Sequence, residues 1–209
     1  MQQLEKREMM AADIDLSGGI LEVEGSNYRD KIIFENVGSN QVRASVFDAN
    51  GNTRVTGTYN KSDIDRLYAD GNNGHDEINN FTSFPITARG GSGNDTIQGG
   101  NADDWLLGDS GHDEISGGYG NDKIEGGWGD DKLMGDSGND TLFGHAGKDY
   151  LYGGNHDDNL YGGSNYDKLY GQSGNDGLFG GDDFDRLYAG TGQDRILKYH
   201  RDNDYHYNT

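Results

Sequence analysis

Gly126-Gly127-Trp128-Gly129-Asp130-Asp131-Lys132-Leu133-Met134 decides the fold, because the same nine-residue pattern recurs on both sides of it without an insertion. From Gly90 to Leu197 the chain divides into twelve consecutive nonapeptides, the first reading Gly90-Gly91-Ser92-Gly93-Asn94-Asp95-Thr96-Ile97-Gln98. Position 6 is Asp in every one: Asp95, Asp104, Asp113, Asp122, Asp131, Asp140, Asp149, Asp158, Asp167, Asp176, Asp185 and Asp194. Position 8 is Ile or Leu in every one, from Ile97 through Leu142 to Ile196. Gly fills position 1 eleven times, with Ala189 the exception, and positions 2 and 4 eight times each. A unit this short buries its apolar face only by stacking on its neighbours, which is the logic of a solenoid.

The glycines predict that the first six residues of each unit turn sharply, with positive φ and close backbone approach. The substitutes His156, Asn165 and Asp183 at position 4 are residue types that tolerate left-handed backbone, whereas Ala102 is not. Residues 7 to 9 then read as a short strand with position 8 inward and its neighbours outward.

The pattern G-G-x-G-x-D-x-U-x resembles the nonapeptide of the RTX (repeats-in-toxin), or hemolysin-type calcium-binding, family over 108 of the 209 residues. The resemblance implies an all-β, right-handed parallel β-roll in which two nonapeptides make one coil and repeats 18 residues apart stack. Asp122, Asp140 and Asp158 then line one edge, and Asp113, Asp131 and Asp149 the other. Like charges at strand spacing, about 5 Å, are unfavourable without a counter-ion. Oxygen-only ligands on flexible turns suit calcium better than magnesium. The resemblance further implies that calcium sits between stacked turns, about ten ions in all, five per edge. The expected side-chain ligands are the twelve Asp residues together with Asp76. The expected carbonyl ligands are Gly90, Gly93, Gly99, Gly108, Gly111, Gly117, Gly120, Gly126, Gly129, Gly135, Gly138, Gly144, Gly147, Gly153, Gly162, Gly171, Gly174 and Gly180. The competing reading makes the carboxylates mere solubilising groups on a solenoid.

Four segments are expected: 1–13, a charged N-terminal stretch; 14–89, irregular solenoid coils that cap the array; 90–197, the roll; and 198–209, a polar cap or tail. Within 14–89, Asp30-Lys31-Ile32, Asp65-Arg66-Leu67 and Asp76-Glu77-Ile78 repeat the Asp-x-aliphatic signature, and Gly71–Asn79 is a degenerate nonapeptide with Gly74 and Asp76 at positions 4 and 6. Strands are expected over Ile20–Glu24, Lys31–Glu35, Gln41–Phe47, Thr53–Tyr59 and Ile86–Arg89, with Asn50-Gly51 as a hairpin turn. Leu4-Glu5-Lys6-Arg7-Glu8-Met9-Met10 is similar to a short N-terminal motif of some bacterial surface proteins, Leu-Glu-Pro-Arg followed by paired leucines; a frayed terminus reads equally well.

Composition narrows the function classes. With 17 Lys and Arg against 37 Asp and Glu the formal charge is −20, which disfavours nucleic acid and anionic membranes. There is no Cys, hence no disulfide, thiolate nucleophile or cysteine zinc site. No apolar run reaches the ~18 residues of a membrane-spanning helix, and the N-terminus carries no apolar signal stretch. Only 31% of residues are hydrophobic and mean hydropathy is −0.93, but 36 glycines in strict register and 11% aromatics argue for order.

Several motifs mislead. Asp13 to Glu24 fits an EF-hand loop, with Gly18 and Glu24 at its sixth and twelfth places, but Ile20-Leu21-Glu22-Val23 alternates as a strand where a helix is required. Gly108-Asp109-Ser110-Gly111 and Gly135-Asp136-Ser137-Gly138 are similar to a serine-protease nucleophile loop, yet both fall at positions 1 to 4 of the repeat. His75, His112, His145, His156, His200 and His206 form no zinc motif. At position 9, Tyr152, Tyr170 and Tyr188 are expected to stack on one face, and Phe143, Tyr161 and Phe179 on the other. They read first as cross-strand ladders and second as a patch for a glycan or cell-surface partner.

Together these readings describe a secreted or surface calcium-binding β-roll that is not an enzyme, with a structural or adhesive role. The alternatives are an accessory domain of a larger exported enzyme or toxin, and a glycan- or ice-binding solenoid. The family leaves the cell with an uncleaved C-terminal signal; Asp202–Thr209 lacks an apolar tail of that kind.

Overall fold

A computed structural model describes residues 12–197 and the backbone of 205–207. The Leu4–Met10 motif and most of the expected C-terminal cap lie outside the described residues. The strands in order are β1 (Asp13–Ser17), β2 (Ile20–Glu24), β3 (Asp30–Val37), β4 (Gln41–Asp48), β5 (Thr53–Asn60), β6 (Arg66–Asp70), β7 (Glu77–Asn80) and β8 (Ile86–Ser92). The array continues with β9 (Thr96–Gly100), β10 (Trp105–Ser110), β11 (Glu114–Tyr119), β12 (Lys123–Trp128), β13 (Lys132–Ser137) and β14 (Thr141–Ala146). It ends with β15 (Tyr150–Asn155), β16 (Asn159–Ser164), β17 (Lys168–Ser173), β18 (Gly177–Gly181), β19 (Arg186–Thr191), β20 (Arg195–Leu197) and β21 (Tyr205–Tyr207).

From β8 to β20 successive strands alternate between two facing sheets, and each pairs in parallel with a strand 18 residues away. Ile124 lies in register with Leu142, and Leu142 with Leu160, in one sheet; Leu133, Leu151 and Leu169 do the same in the other. Every position-8 residue from Ile97 to Leu187 is buried, which makes a core of two aliphatic files between the sheets. The structure is an all-β parallel solenoid.

The strands are longer than the sequence suggests. Most span six residues, positions 7 to 9 followed by 1 to 3 of the next unit, so the turn proper is confined to positions 4 to 6. The first glycine is extended and buried, pointing into the core like the aliphatic two residues before it. The second carries positive φ inside the strand, for example 103° at Gly118 and 112° at Gly127. Asp109, Asp136, His145 and Gln172 take the same conformation at position 2 with φ of 69 to 75°. At position 4, His156, Asn165 and Asp183 are also left-handed, whereas Ala102 is not.

The N-terminal coils are built differently. β1 and β2 form a hairpin on Gly18 (φ 57°) and Gly19 (φ 81°), the two-residue turn with both φ positive that matches strand twist. This removes the EF-hand reading: Asp13 and Glu24 are opposed across antiparallel strands instead of ending a loop. β3, β4 and β5 form an antiparallel meander turning at Gly51, as the Asn50-Gly51 pair predicts. β3 also pairs in parallel with β7, and β2 with β6, which joins both hairpins to the array. The antiparallel additions end each sheet and shield its last parallel edge.

Candidate metal centre

The site is repetitive, and one coil explains it. Asp113 ends a turn at the mouth of β11, immediately before the strand whose Ile115 anchors it in the core. Its carboxylate folds back under the turn. Oδ1 accepts the backbone N–H of Asp95, one coil earlier, at 2.7 Å, and Asp113 itself donates its N–H to Asp131 Oδ1 at 2.8 Å. The same bond, 2.6 to 3.0 Å long, repeats without a break along both edges. One row runs through Asp104, Asp122, Asp140, Asp158, Asp176 and Asp194. The other runs through Asp30, Asp76, Asp95, Asp113, Asp131, Asp149, Asp167 and Asp185.

From Asp76 to Asp176 the second oxygen of each row carboxylate has no hydrogen-bond partner. Oδ2 of Asp76 and of every array aspartate from Asp95 to Asp176 is buried and makes no hydrogen bond. Position 1 glycine explains where it points. A methyl built on Gly108 would collide with both Asp113 Oδ2 and the Gly126 carbonyl of the next coil; one on Gly144 would meet Asp149 Oδ2 and the Gly162 carbonyl. The missing side chain therefore leaves a cradle into which a carboxylate oxygen and a carbonyl oxygen converge. Position 4 serves a different purpose. A methyl on Gly111 would overlap the Gly93 carbonyl, and one on Gly129 the Gly111 carbonyl, so the turns stack too closely for a side chain.

Burial is costly for these carboxylates. Desolvation pushes Asp122, Asp158 and Asp167 up to about 8, and the charges of aspartates on adjacent coils add to it. Asp76, Asp104, Asp113 and Asp131 rise to about 7, and Asp140 and Asp149 to about 6, again chiefly by burial. The backbone N–H on Oδ1 pulls each value down and only partly offsets the desolvation. Rows of buried carboxylates, each with one orphaned oxygen beside a carbonyl, are a donor set for a hard cation. Among the described residues no three His, Asp or Glu side chains converge, so an ion there would rely on backbone oxygen as well as carboxylate.

The ends of the rows depart from the sequence reading. Asp65, which shares the Asp-x-aliphatic signature, is exposed and belongs to neither row. The reason is register: Leu67 aligns with Ile86, and Ile86 N–H bonds Asp104 Oδ1, so apolar residues occupy the aspartate place on that edge. On the other edge the row continues past Asp76 to Asp30, which the sequence signature flags but a nine-residue period does not reach. Gly25 stands five residues before Asp30, and its missing methyl makes room for Asp30 Oδ2 and the Gly71 carbonyl, as in the array. Here, however, the protein supplies the cation. Arg54 Nε lies 3.2 Å from the buried Asp30 Oδ1, and Ser26 occupies Oδ2 through its N–H and its hydroxyl. At the far end Asp194 is half-buried, in the one repeat that carries Ala189 at position 1.

Two of the histidines serve the turns. His75 and His112 sit at position 5, where each Nδ1 accepts a backbone N–H from the next coil, Asn94 at 2.6 Å and Asp130 at 2.7 Å. The aromatic columns form as expected, with centroids 4.8 and 4.6 Å apart along Tyr152, Tyr170 and Tyr188 and 4.8 and 4.5 Å along Phe143, Tyr161 and Phe179. Among the described residues no helix is long and apolar enough to cross a membrane.

The RTX calcium-binding nonapeptide repeat matches in four copies, over residues 87–115, 107–142, 134–169 and 170–197. No curated protein matches the chain. The matched copies cover more than half of the 209 residues and coincide with the coils whose aspartates face one another, so the chain belongs to the RTX calcium-binding nonapeptide repeat family.

Proposed function

We propose that this chain is the calcium-dependent β-roll of an exported protein, that it folds when it meets calcium outside the cell, and that its role is structural or adhesive, not catalytic. The observation that carries the reading is the pair of rows of buried Oδ2 atoms from Asp76 to Asp176, each orphaned beside a glycine cradle. Bound calcium supplies positive charge between stacked carboxylates and coordination for oxygens that otherwise have none. The side-chain ligands in this reading are Asp76 and the twelve array aspartates, and the nearest backbone donors are the position-1 glycine carbonyls such as Gly126 and Gly162. About ten ions fill the spaces between coils. Metal binding is then folding free energy, because the unfolded chain has no preformed site.

Far-UV circular dichroism tests it. With chelator at pH 8 the spectrum should be largely that of a disordered chain, and millimolar calcium should bring a cooperative rise of β signal. A β-rich spectrum indifferent to chelator at that pH would sink the proposal.

A further inference from the structure

The outer face of the eleven-stranded sheet changes character in its C-terminal half. Its column at position 5 becomes Lys148, Tyr166 and Phe184 on three consecutive coils. Tyr166 is 53% and Phe184 46% exposed, and their rings lie parallel at 6.2 Å. At position 7 the same coils carry Tyr150, Lys168 and Arg186, which are adjacent and in register. Lys168 Nζ donates to the Tyr150 hydroxyl at 2.8 Å and lies 4.4 Å above that ring. Position 9 completes the face with the stacked column of Tyr152, Tyr170 and Tyr188. A cleft of about 610 Å³ runs between the columns at positions 5 and 7.

The nearest counterpart is on the opposite sheet, where Lys123 lies 4.8 Å over Trp105 and 5.8 Å from Phe143 but is paired with Glu125. On the opposite sheet, the coils carrying Phe143 and Tyr161 have Asn139, Thr141, Asp157 and Asn159 at positions 5 and 7, with no cation. Elsewhere Lys31, Arg43, Arg54, Arg89, Lys123 and Lys132 each lie within 4 Å of a carboxylate, whereas Arg29, Lys61, Arg66 and Arg195 are scattered without such a pair among the described residues. Lys148, Lys168 and Arg186 pair with no carboxylate among the described residues. The aspartates between these outward positions, Asp149 and Asp167, are buried in the row, and Asp167 also forms part of the cleft lining, where the three cations outnumber it. Lys168 and Arg186 stand directly opposite on neighbouring strands, where like charges are unfavourable without an anion between them.

We propose that this face binds an acidic polysaccharide, with the carboxylates of the sugar chain on Lys148, Lys168 and Arg186 and its rings against Tyr166, Phe184 and the tyrosine column. A sugar ring presents C–H faces alongside hydroxyls and, in a uronate, one carboxylate. Phenols and exposed aromatic rings offer an apolar body with a polar tip to match it. The columns are held by stacking before any ligand arrives, which lowers the ordering cost of binding. The chain's −20 charge disfavours duplex nucleic acid, with one charge per ~1.7 Å of axis, more strongly than a polymer whose charges are spaced by whole sugar rings. The inference goes beyond calcium binding and needs only that the roll be folded.

Calorimetric titration of the calcium-loaded chain with hexagalacturonate tests it, using a neutral hexasaccharide and a polyphosphate as comparison ligands. Wild type should bind the uronate, more weakly as salt rises, and should ignore the neutral sugar. Lys168→Glu/Arg186→Glu should weaken binding on the order of tenfold or more, while Lys61→Glu/Arg66→Glu, the same charge change at the N-terminal end, should not. Phe184→Ala should weaken it several-fold. Absence of uronate binding, or equal binding by Lys168→Glu/Arg186→Glu, overturns the proposal; the latter would mean that calcium bridges the sugar. Polyphosphate binding as tight as uronate, with the same sensitivity to the variants, would reduce the face to a general anion patch and also overturn it. Circular dichroism of each variant, with and without calcium, is recorded first. A wild type that is folded regardless of calcium refutes the calcium reading, and the sugar titration then decides the face independently.

Discussion

Without calcium, acid should fold this protein and mild alkali should unfold it. The groups concerned are the buried carboxylates, with Asp122, Asp158 and Asp167 pushed up to about 8 and Asp76, Asp104, Asp113 and Asp131 to about 7. The unfolded value is 3.8. A folded value above the unfolded one gives stability that is fully present below about pH 4 and is lost as pH rises through about 6 to 8. Raising one carboxylate from 3.8 to about 7 means that keeping it ionised in the fold costs roughly 4 kcal/mol. A few such groups exceed the ~5–15 kcal/mol that holds an ordinary domain together. Protonation reverses the penalty. A proton on Asp113 Oδ2 turns an orphaned acceptor into a donor beside the Gly126 carbonyl. In chelator, far-UV circular dichroism should therefore show β structure at pH 5.5, a cooperative loss between about pH 6 and 8, and its recovery at pH 8.5 on adding calcium. Identical spectra at pH 5.5 and 8.5 in chelator, or a less ordered chain at the lower pH, would refute the argument that desolvated carboxylates decide folding.

Leu142 is fully buried between coils, whereas Tyr161 stacks outside between Phe143 and Phe179. Leu142→Asp should abolish calcium-induced folding of the central coils, and Tyr161→Ser should cost about 0.5–1.5 kcal/mol, read as calcium midpoints by circular dichroism. Asp140 stands between Asp122 and Asp158, while Asp194 ends its row. Asp140→Ala should lose about two ions and Asp194→Ala about one, counted by metal analysis after dialysis. Arg54→Met leaves the Asp30 carboxylate buried and unpaired, and should destabilise the N-terminal coils by about 3–5 kcal/mol. Hydrogen exchange over β3 and β4 measures this, and adding Asp30→Asn should recover part of the loss.

The array was open to reading because a nine-residue period repeats one local decision twelve times. Leu142 and Tyr161 follow directly: alternation along a strand sends position 8 inward and position 9 outward, whatever the rest of the chain does. The pairing of Asp122 with Asp140 rests on the resemblance, because nine residues alone do not say that two units complete a coil. The reason for the first glycine was hidden. It looks like a turn residue, but its φ is not positive, and it is needed because Asp Oδ2 and a carbonyl from another coil fill the space of its methyl.

Outside the array the signature Asp-x-aliphatic occurs at Asp30, Asp65 and Asp76, and it identifies row members at two of the three. Asp30 reaches Asp76 across 46 residues because the β3–β5 meander loops out of the coil path. Asp65 fails because β6 pairs in a register that sets Leu67, not an aspartate, against Ile86. The sequence by itself determined the period, the buried aliphatics and the outward aromatics, since each depends on backbone geometry shared by every unit; the family resemblance added the two-unit coil that stacks them into aspartate rows and aromatic columns. Only the tertiary structure decided which oxygen of each carboxylate is satisfied, that Arg54 pairs with the buried carboxylate of Asp30, and that Lys148, Lys168 and Arg186 share one face with the tyrosines. These depend on distances between coils, and such distances are set by packing and hydrogen bonds across the stack, which no local pattern along the chain encodes.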